Sequence, residues 1–386
     1  MMKMISIFQM SESGMTKSYI WPLFNRIIHI LLIVSFTSTF LLSGYTEYLD
    51  FHVISALIFA FLFILRIIWG IIGPKYSKFK DFTFDIKELK NYLKNPLSKT
   101  KEYIGHNPAS SYAIIIIAAL TLLSTLSGML LYGVEKNHGV FSYLHSIYYK
   151  DMLVLESVHE ICANLLLAFI VIHMTGALLD KFVKKGDGID SMVSGYKKSA
   201  SNIQIRLSIT QKLFVSLSFL FTSIFIAYLI SPKNDNVFLV SKNQKQDYAM
   251  INEDFESECG SCHITYPPYL LPKKSWEIMM SDLENHFGDD ASIDKETNFI
   301  ISKFLEKRSA ENSTKEAAFK ILHTLKNTNT IAISKTPYWE KRHKEIDEKV
   351  FLDKKIKSKA NCNACHKDIE YGLIENNLIK IPKLKL

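Results

Sequence analysis

The sequence predicts an all-α protein that joins a bundle of membrane-spanning helices to a water-exposed helical domain. Five apolar runs of about 20 residues lie before residue 231, and this is the length needed to cross a hydrocarbon core about 30 Å thick. Beyond residue 231 no run is long enough to span, and Lys, Glu, Asp and Asn dominate. The average of 48% hydrophobic residues therefore conceals two unlike halves, and a single water-soluble globule is excluded.

The predicted spans cover residues 20–43, 51–72, 112–131, 153–179 and 213–230. Arg26 lies in the first span and Arg66 near the end of the second, where a long side chain can reach the membrane interface. No small-residue cleavage site follows the first run, so we expect a retained anchor and not a removed signal peptide.

The distribution of Lys and Arg predicts the orientation of the spans. Loop 73–108 carries eight lysines and loop 180–212 carries seven Lys or Arg, whereas loops 43–50 and 134–151 carry only Lys136 and Lys150. Under the positive-inside rule the N-terminus and the two basic loops are cytoplasmic, and five crossings place the C-terminal domain outside. The formal charge of +8 is thus explained by orientation in membrane lipid, and no nucleic acid partner is predicted.

Four of the five cysteines form two identical Cys-x-x-Cys-His frames. The frames are Cys259-Gly-Ser-Cys262-His263 and Cys362-Asn-Ala-Cys365-His366. This frame attaches c-type haem, in which two sulfurs bond to the haem and the following His ligates the iron. A thioredoxin-like dithiol and one zinc site of four thiolates are the alternatives. Since c-type haem is matured outside the bacterial membrane, two covalent haems c agree with the predicted orientation.

Four histidines lie inside the predicted spans: His29, His52, His159 and His173. Ionisable groups in the bilayer are costly and by default functional, although a hydrogen-bonded packing role is the alternative. His159 and His173 are 14 residues apart on one helix, about 21 Å of rise, so they face one side at two depths. Matching depths pair His29 with His173 and His52 with His159. Because neutral imidazole binds iron, these pairs predict two non-covalent haems b.

The first half carries several further motifs. They are Arg26-x-x-His29, His52 with Arg66 and Trp69-Gly70, Gly105-His106-Asn107-Pro108, His159-Glu160 with Asn164, His173-x-x-Gly176, and Ser194-Gly195-Tyr196-Lys197. In these motifs residues 21–198 resemble the bacterial cytochrome b561 and nickel-iron hydrogenase cytochrome b family, four-helix dihaem membrane proteins. The resemblance implies the same four haem ligands and electron exchange with the quinone pool.

Other polar residues near the spans have two readings each. Arg26 lies one turn before His29, where it would pair with a haem propionate or simply snorkel. His106 is a motif residue, with capping or headgroup contact as its alternative role. His138 and His145 lie in the outer loop, where we expect them to be solvated, and they are the fallback ligands.

The C-terminal half has apolar positions at helical spacing. Ser275 is expected to cap a helix that runs to about Phe287 and ends at Gly288, with His286 on its apolar stripe. A second helix is expected to begin with Thr336 as cap and Pro337 at its first position, with Trp339 and His343 on one face. Each inward His, His286 or His343, is a candidate sixth ligand for a c haem.

This half is similar to the periplasmic dihaem cytochromes c. The matching stretches are the two haem frames, Tyr266-Pro-Pro268, Leu271-Pro272, Ser275-Trp276, His286-Phe287-Gly288, Thr336 to His343, and Ile381-Pro382. The resemblance implies His263 and His366 as proximal ligands and His286 and His343 as distal ones, without fixing which distal His serves which haem. His323, Met279 and Met280 are the competing distal candidates.

The predicted organisation has five parts. They are a cytoplasmic N-terminus (1–19), a four-span membrane domain (20–200), a fifth transmembrane helix (201–232), a linker (233–257) and a periplasmic dihaem domain (258–386). We expect a multi-pass protein of the bacterial inner membrane. It would pass electrons between the quinone pool and a periplasmic redox partner, such as a small haem protein, through two haems b and two haems c.

The sequence shows no catalytic constellation, and bis-His iron favours electron transfer over oxygen activation. Quinol oxidation toward the periplasm, as in a quinol:cytochrome c-type oxidoreductase of a respiratory chain, is the favoured direction. The alternatives are electron entry from a periplasmic dehydrogenase or hydrogenase, a membrane-tethered haem sensor, and docking of a soluble reductase on the cytoplasmic loops.

Overall fold

The computed structural model describes residues 16–94, 103–199, 202–232, 236–325 and 329–382. The N-terminal arm up to residue 15, Lys99, Lys101 and the first residues of the expected linker lie outside these ranges. Within them the regular structure is helical apart from one pair of short strands, which confirms the all-α prediction.

Up to residue 232 the elements alternate long apolar helices with short polar ones. They are β1 (Thr16–Tyr19), α1 (Leu23–Leu42), α2 (Leu49–Ile72), α3 (Ile86–Lys94), α4 (Pro108–Lys136), α5 (His145–Tyr148), α6 (Met152–Phe182), α7 (Gly188–Ser194), β2 (Tyr196–Ser199) and α8 (Ile209–Ile230). Among the described residues, α1, α2, α4, α6 and α8 are long and apolar enough to cross a membrane. The five predicted spans are therefore confirmed.

Local signals explain where two of the long helices begin. At the start of α8, Ser208 Oγ accepts from Gln211 N–H at 3.2 Å while Gln211 Oε1 accepts from Ser208 N–H at 3.0 Å. This reciprocal pair satisfies two donors that a helix start leaves without partners. At the start of α4, Pro108 occupies a first-turn position and Asn107 Oδ1 accepts from Ser110 N–H at 2.8 Å.

The chain divides into two compact units. The membrane unit comprises the described residues of 1–44, 51–128 and 155–232. The second unit comprises residues 45–50 and 129–154 together with the described part of 233–386. The predicted organisation had assigned the segments 45–50 and 129–154 to the membrane domain.

The membrane unit is packed by aromatic and aliphatic side chains of four spans. Phe59 and Phe63 of α2 pack with Ile117 of α4 and Leu166 of α6 in one buried cluster. The fifth span, α8, packs against the first two through Phe214, whose ring stacks on Trp69 at 5.7 Å. The fifth helix is thus an integral part of this bundle.

A short ribbon closes the four-span region. Strand β1 pairs antiparallel with β2, with Tyr19 opposite Tyr196. Gly195 precedes β2 with φ of +88°, and a Cβ there would lie 2.7 Å from the Tyr19 ring. Only glycine suits both that backbone conformation and that close approach. The pair was not expected from the sequence, because four-residue strands carry too little pattern to be recognised.

The second unit is built from short helices around two cores. Its helices after residue 232 are α9 (Tyr248–Ile251), α10 (Glu253–Cys259), α11 (Lys273–Ser281), α12 (Lys295–Arg308), α13 (Glu316–Thr324), α14 (Pro337–His343) and α15 (Glu348–Phe351). One core contains Phe255, Trp276 and Ile301, and Cys259 packs against it. The other contains Tyr269, Ile321 and Ile369, and Cys362 packs against it. Each cysteine frame therefore adjoins its own core.

One expected helix is shorter than its apolar spacing indicated. Helix α11 ends at Ser281, and Ser275 is buried within its first turn instead of capping it. A 3-10 turn follows, and Phe287 and Gly288 both have positive φ. His286 is therefore held by a turn and not by a helix. The second expected helix is observed, since Thr336 Oγ1 accepts from Trp339 N–H at 3.2 Å at the start of α14.

The expected linker is ordered over most of its length. It contains α9 and most of α10, each begun by a side-chain cap from Asp247 or Asn252. Before them, Gly139 N–H donates to Val240 O at 2.9 Å and Lys242 N–H donates to Asn137 O at 3.0 Å. The polar composition of this stretch had predicted a tether. Its backbone pairing with residues 137 and 139 could not be predicted, because such pairing leaves no local sequence pattern.

Candidate metal centres

Three pairs of predicted histidine ligands lie close together. The ring centroids are 6.4 Å apart for His52 and His159, 6.2 Å for His263 and His286, and 6.0 Å for His343 and His366. Two imidazoles that share one metal, with a metal–nitrogen distance of about 2 Å, hold their ring centroids roughly 6 Å apart. Each pair is therefore spaced to ligate one ion between its two rings.

Four of these imidazoles are oriented by a hydrogen bond at Nδ1 to a backbone carbonyl. The bonds are His52 to Thr39 O at 2.9 Å, His159 to Ser124 O at 3.1 Å, His263 to Ile264 O at 2.7 Å and His343 to Trp339 O at 2.8 Å. Because a carbonyl only accepts, Nδ1 carries the proton in each ring. The lone pair of Nε2 is then available to a metal, as is typical of histidine ligands.

The fourth predicted pair lies along one large cavity of the membrane unit. His29 and His173 both line this cavity of about 2310 Å³. Arg66 and His106 line it as well, and Arg66 Nη1 and His106 Nδ1 are buried without a hydrogen-bond partner among the described residues. Burial, with the cations Arg66 and Lys197 nearby, lowers the pKa of His106 to about 3. Two orphaned donors in the wall fit a ligand with anionic groups, such as a haem propionate.

Glycines leave space beside the histidines of α6. A Cβ at Gly128 would lie 2.8 Å from Cε1 of His159, so a side chain there would displace the ring. Gly176 lines the cavity and has no atom within 4 Å of an added Cβ. The pattern is that of a groove kept open for a bulky planar group.

The two arginines of the spans differ in their environment. Arg26 Nη1 donates to the carbonyl of Val193 at the end of α7, and the residue does not line the cavity, although its Nε is buried without a partner. Arg66 lines the cavity. The geometry therefore favours Arg66 as the partner of an anionic group, whereas the sequence had offered Arg26 for that role, with snorkelling as the alternative. The signal available in the sequence was an arginine inside an apolar run.

The cysteine environments discriminate between the alternatives for the two frames. Burial, together with Glu258 and Glu256, raises the pKa of the Cys259 thiol to about 11, and burial raises that of Cys362 to about 11. A redox-active dithiol needs the opposite shift. Among the described residues, which include all four frame cysteines, no three His, Cys, Asp or Glu gather as a metal-ion site. A zinc site of four thiolates is therefore not formed.

The remaining histidine and methionine candidates are engaged in other side-chain contacts. His138 and His145, expected to be solvated, are 6% and 8% exposed, and both ring nitrogens of each make hydrogen bonds or ion pairs with protein atoms. They are thus engaged in packing and are not fallback ligands. His323 is exposed on α13 and stacks on Phe319, and Met280 is buried in a core.

The fold and these sites define a class of protein: a membrane protein of the haem-dependent electron-transfer type. Residues 20–195 match the family described as prokaryotic cytochrome b561, and residues 255–373 match the family described as dihaem cytochrome c. The chain therefore joins a cytochrome b561 domain to a dihaem cytochrome c domain, and both sequence resemblances are confirmed.

The relatives divide between the two domains. Probable Ni/Fe-hydrogenase B-type cytochrome subunits of Escherichia coli K12 and Rhizobium leguminosarum bv. viciae are 23% and 22% identical over 172 residues, 40% of this chain and 71% and 69% of theirs. Solved dihaem cytochromes c of Rhodobacter sphaeroides and Shewanella baltica are 35% and 30% identical, with TM-scores of 0.29 and 0.28. They cover 32% and 34% of this chain and 95% and 93% of their own.

Proposed function

We propose that the protein passes electrons between the quinone pool and a periplasmic redox partner through two non-covalent haems b and two covalent haems c. The observation that carries the proposal is the spacing of 6.0 to 6.4 Å within three histidine pairs, together with the two cysteine frames. When bound, the haems supply one-electron redox chemistry at iron.

The ligand set favours electron transfer over catalysis at the metal. His52 with His159 and His29 with His173 would hold the haems b, while His263 with His286 and His343 with His366 would hold the haems c. An iron held by two imidazoles would favour one-electron transfer over binding of oxygen or another substrate. The histidines therefore hold and orient the redox centres and take no part in bond making.

The cavity of the membrane unit is the place proposed for the quinone. Its volume of about 2310 Å³ exceeds the 300–1,000 Å³ typical of ligand pockets, so a ring substrate fits beside a bound haem. His106 and Arg66 in its wall provide donors for a carbonyl oxygen. Oxidation of one quinol releases two electrons, which leave one at a time, and two protons.

The distribution of Lys and Arg supports a periplasmic position for the C-terminal domain in the bacterial inner membrane. Quinol oxidation toward the periplasm is the proposed direction, with a small haem protein as a candidate acceptor. The likeness to hydrogenase cytochrome subunits favours a second candidate, in which a periplasmic hydrogenase or dehydrogenase delivers electrons to quinone.

Haem quantitation on the purified full-length protein tests the proposal. Solvent extraction separates non-covalent from thioether-bound haem, and we expect two of each per chain. His29→Ala and His52→Ala should each remove one extractable haem and leave the bound pair intact. His323→Ala, which changes an exposed histidine, is the control and should keep all four. Retention of both extractable haems in the two variants would contradict the pairing.

A further inference from the structure

Two membrane-loop segments form part of the second unit. They are residues 45–50, which run from the connection after α1 into the start of α2, and residues 129–154, which comprise the last turns of α4, the connection and the start of α6. Below they are called the loop segments. Their contacts with the dihaem cytochrome c domain are specific, polar and partly buried, so the domain is fixed to them.

The first group of contacts surrounds Glu316. Its carboxylate pairs with Lys136, which also lies 3.1 Å from Glu135, and with Arg342 at 3.9 Å. Arg342 Nη1 in turn donates to Thr46 Oγ1 at 3.2 Å. Burial opposes ionisation of Glu316, but the cations Lys136 and Arg342 outweigh it and hold its pKa at about 2. One partly buried carboxylate thus contacts segment 129–154 directly and segment 45–50 through Arg342.

The second group of contacts surrounds Glu375. His138 Nε2 lies 2.9 Å from the Glu375 carboxylate, and its Nδ1 lies 2.6 Å from Lys136 O. Both ring nitrogens of His138 thus lie at hydrogen-bonding distance from acceptor oxygens. Asn243 and Ser241 also donate to Glu375, at 2.9 and 2.8 Å. A charge-assisted network of this kind is stronger than neutral hydrogen bonds.

These contacts fall beside one of the two c-haem sites. The arginine that bonds Thr46 immediately precedes His343 in the chain. The backbone of His366 pairs with Ile379, and the turn Asn376–Leu378 just before it contacts Thr46–Tyr48. Each ligand of the His343–His366 site is therefore connected to the loop segment 45–50 through neighbouring residues, His343 through Arg342 and His366 through Ile379 and the turn before it.

That segment leads into the second span. That span carries His52, six residues after Thr46 in the sequence.

The other c-haem site faces solvent. Cys262 and His263 are exposed, and Phe287 beside His286 is 60% exposed. Its surroundings are acidic, because residues 253–294 carry ten Asp or Glu against two lysines, whereas residues 335–382 carry eight against eleven Lys or Arg. A soluble cation will therefore approach the His263–His286 site more readily than an anion.

We infer that the two c-haem sites act in a fixed order. The His343–His366 site is the inner one and exchanges electrons on the side of the loop segments. The His263–His286 site is the outer one and exchanges electrons with the soluble partner. This assignment rests on the proposed function, since it presumes that both sites hold haem.

Removal of one site at a time tests the order in full-length protein reconstituted in lipid nanodiscs. Cys362→Ala with Cys365→Ala should slow the quinol-driven reduction of the remaining c haem at least tenfold. The oxidation of that haem by hexaammineruthenium(III) should persist. Cys259→Ala with Cys262→Ala should leave quinol-driven reduction intact and slow oxidation by hexaammineruthenium(III) at least tenfold. The reverse pattern, or equal effects of the two variants, would overturn the order.

A measurement on the unmodified protein covers the case in which either variant fails to fold. The imidazole planes are inclined by 27° at the His263–His286 site and by 68° at the His343–His366 site, so the two oxidised haems should give different low-spin EPR signals. The soluble paramagnetic cation hexaaquanickel(II) should enhance the electron-spin relaxation of the signal from the His263–His286 site at least threefold more than that of the signal from the His343–His366 site. Equal or reversed enhancement contradicts the order, whereas absence of two bound c haems contradicts the proposed function itself.

Discussion

At the scale of single residues, the hydrogen bonds and packing around a side chain decide which imidazoles and cations can bind a redox centre. His159 donates from Nδ1 to the carbonyl of Ser124, and its ring occupies space that is free because Gly128 has no side chain. Arg66 lines the cavity and its Nη1 has no hydrogen-bond partner among the described residues, whereas Arg26 Nη1 donates to Val193 O. A positive charge in such a wall stabilises the reduced, less positive state of a nearby haem, so Arg66 should raise its potential.

Arg66→Gln should lower the midpoint potential of one haem b. The interaction of a cavity-wall cation is on the order of 1 kcal/mol, or roughly 45 mV for a one-electron couple. A potentiometric titration followed in the visible bands measures it. Arg26→Gln is the matched control and should change neither b potential by more than a few millivolts. A drop confined to Arg26→Gln would restore the assignment made from the sequence alone.

Candidate ligands could be proposed from the sequence at this scale, but their surroundings could not. The cysteine frames place their proximal histidines by covalent chemistry, which is visible in five consecutive residues. The carbonyls of Thr39 and Ser124 that orient His52 and His159 belong to other helices, 13 and 35 residues away. Contacts of that kind depend on tertiary packing and leave no pattern in one sequence.

At the scale of elements, length and hydropathy predicted the five spans because a membrane demands about 20 apolar residues. The short helices of the second unit obey weaker signals. The apolar spacing of Met279, Leu283 and His286 predicted one helix, yet the chain leaves the helix at Ser281. Asn285 Nδ2 donates to Asp282 Oδ1 at 2.7 Å there, a local side-chain bond that favours a turn.

The network at Glu375 should stabilise the second unit. Glu375→Gln removes a charged acceptor of three donors and should lower the free energy of unfolding by about 1 to 3 kcal/mol. Urea titration followed by tryptophan fluorescence measures the loss. Glu345→Gln is the control, because its pair with Lys344 is exposed and should contribute little. Equal midpoints for Glu375→Gln and the unmodified protein would show that the network adds nothing.

Protonation of the Glu375 carboxylate at low pH should destabilise the second unit. Burial opposes ionisation of Glu375, but bonds from His138, Asn243 and Ser241 outweigh it and lower its pKa from 4.5 to about 2. A carboxyl whose folded pKa is lowered stabilises the fold above its unfolded pKa and loses that effect as protons bind. Stability should therefore fall between about pH 4.5 and pH 2 in the unmodified protein, and this part of the decline should be smaller in Glu375→Gln.

At the scale of the whole molecule, one polypeptide carries both a cytochrome b561 domain and a dihaem cytochrome c domain. The alternation of basic and neutral loops predicted which ends of the spans share a side of the membrane. It could not predict that segments 45–50 and 129–154 would belong to the same compact unit as the cysteine frames. Within that unit Lys136 pairs with Glu316 and His138 with Glu375, partners that lie 180 and 237 positions apart in the sequence.

Reporter fusions test the orientation. Alkaline phosphatase, which folds only outside the cytoplasm, should be active when fused after residue 386 and inactive when fused after residue 92, in a basic loop. Green fluorescent protein fused at the same two positions should give the opposite pattern, fluorescent after residue 92 and dark after residue 386. An active phosphatase at residue 92 would invert the topology and place both cysteine frames in the cytoplasm.

The ribbon of β1 and β2 has a consequence for how such a chain arises. It fastens the residues just before the four-span region to those just after it, so the region enters and leaves at one spot. A cassette with adjacent ends can be spliced ahead of another gene segment without disturbing its own interior. Helix α8 and the stretch that follows it then connect the cytochrome b561 domain to the dihaem cytochrome c domain in a single polypeptide.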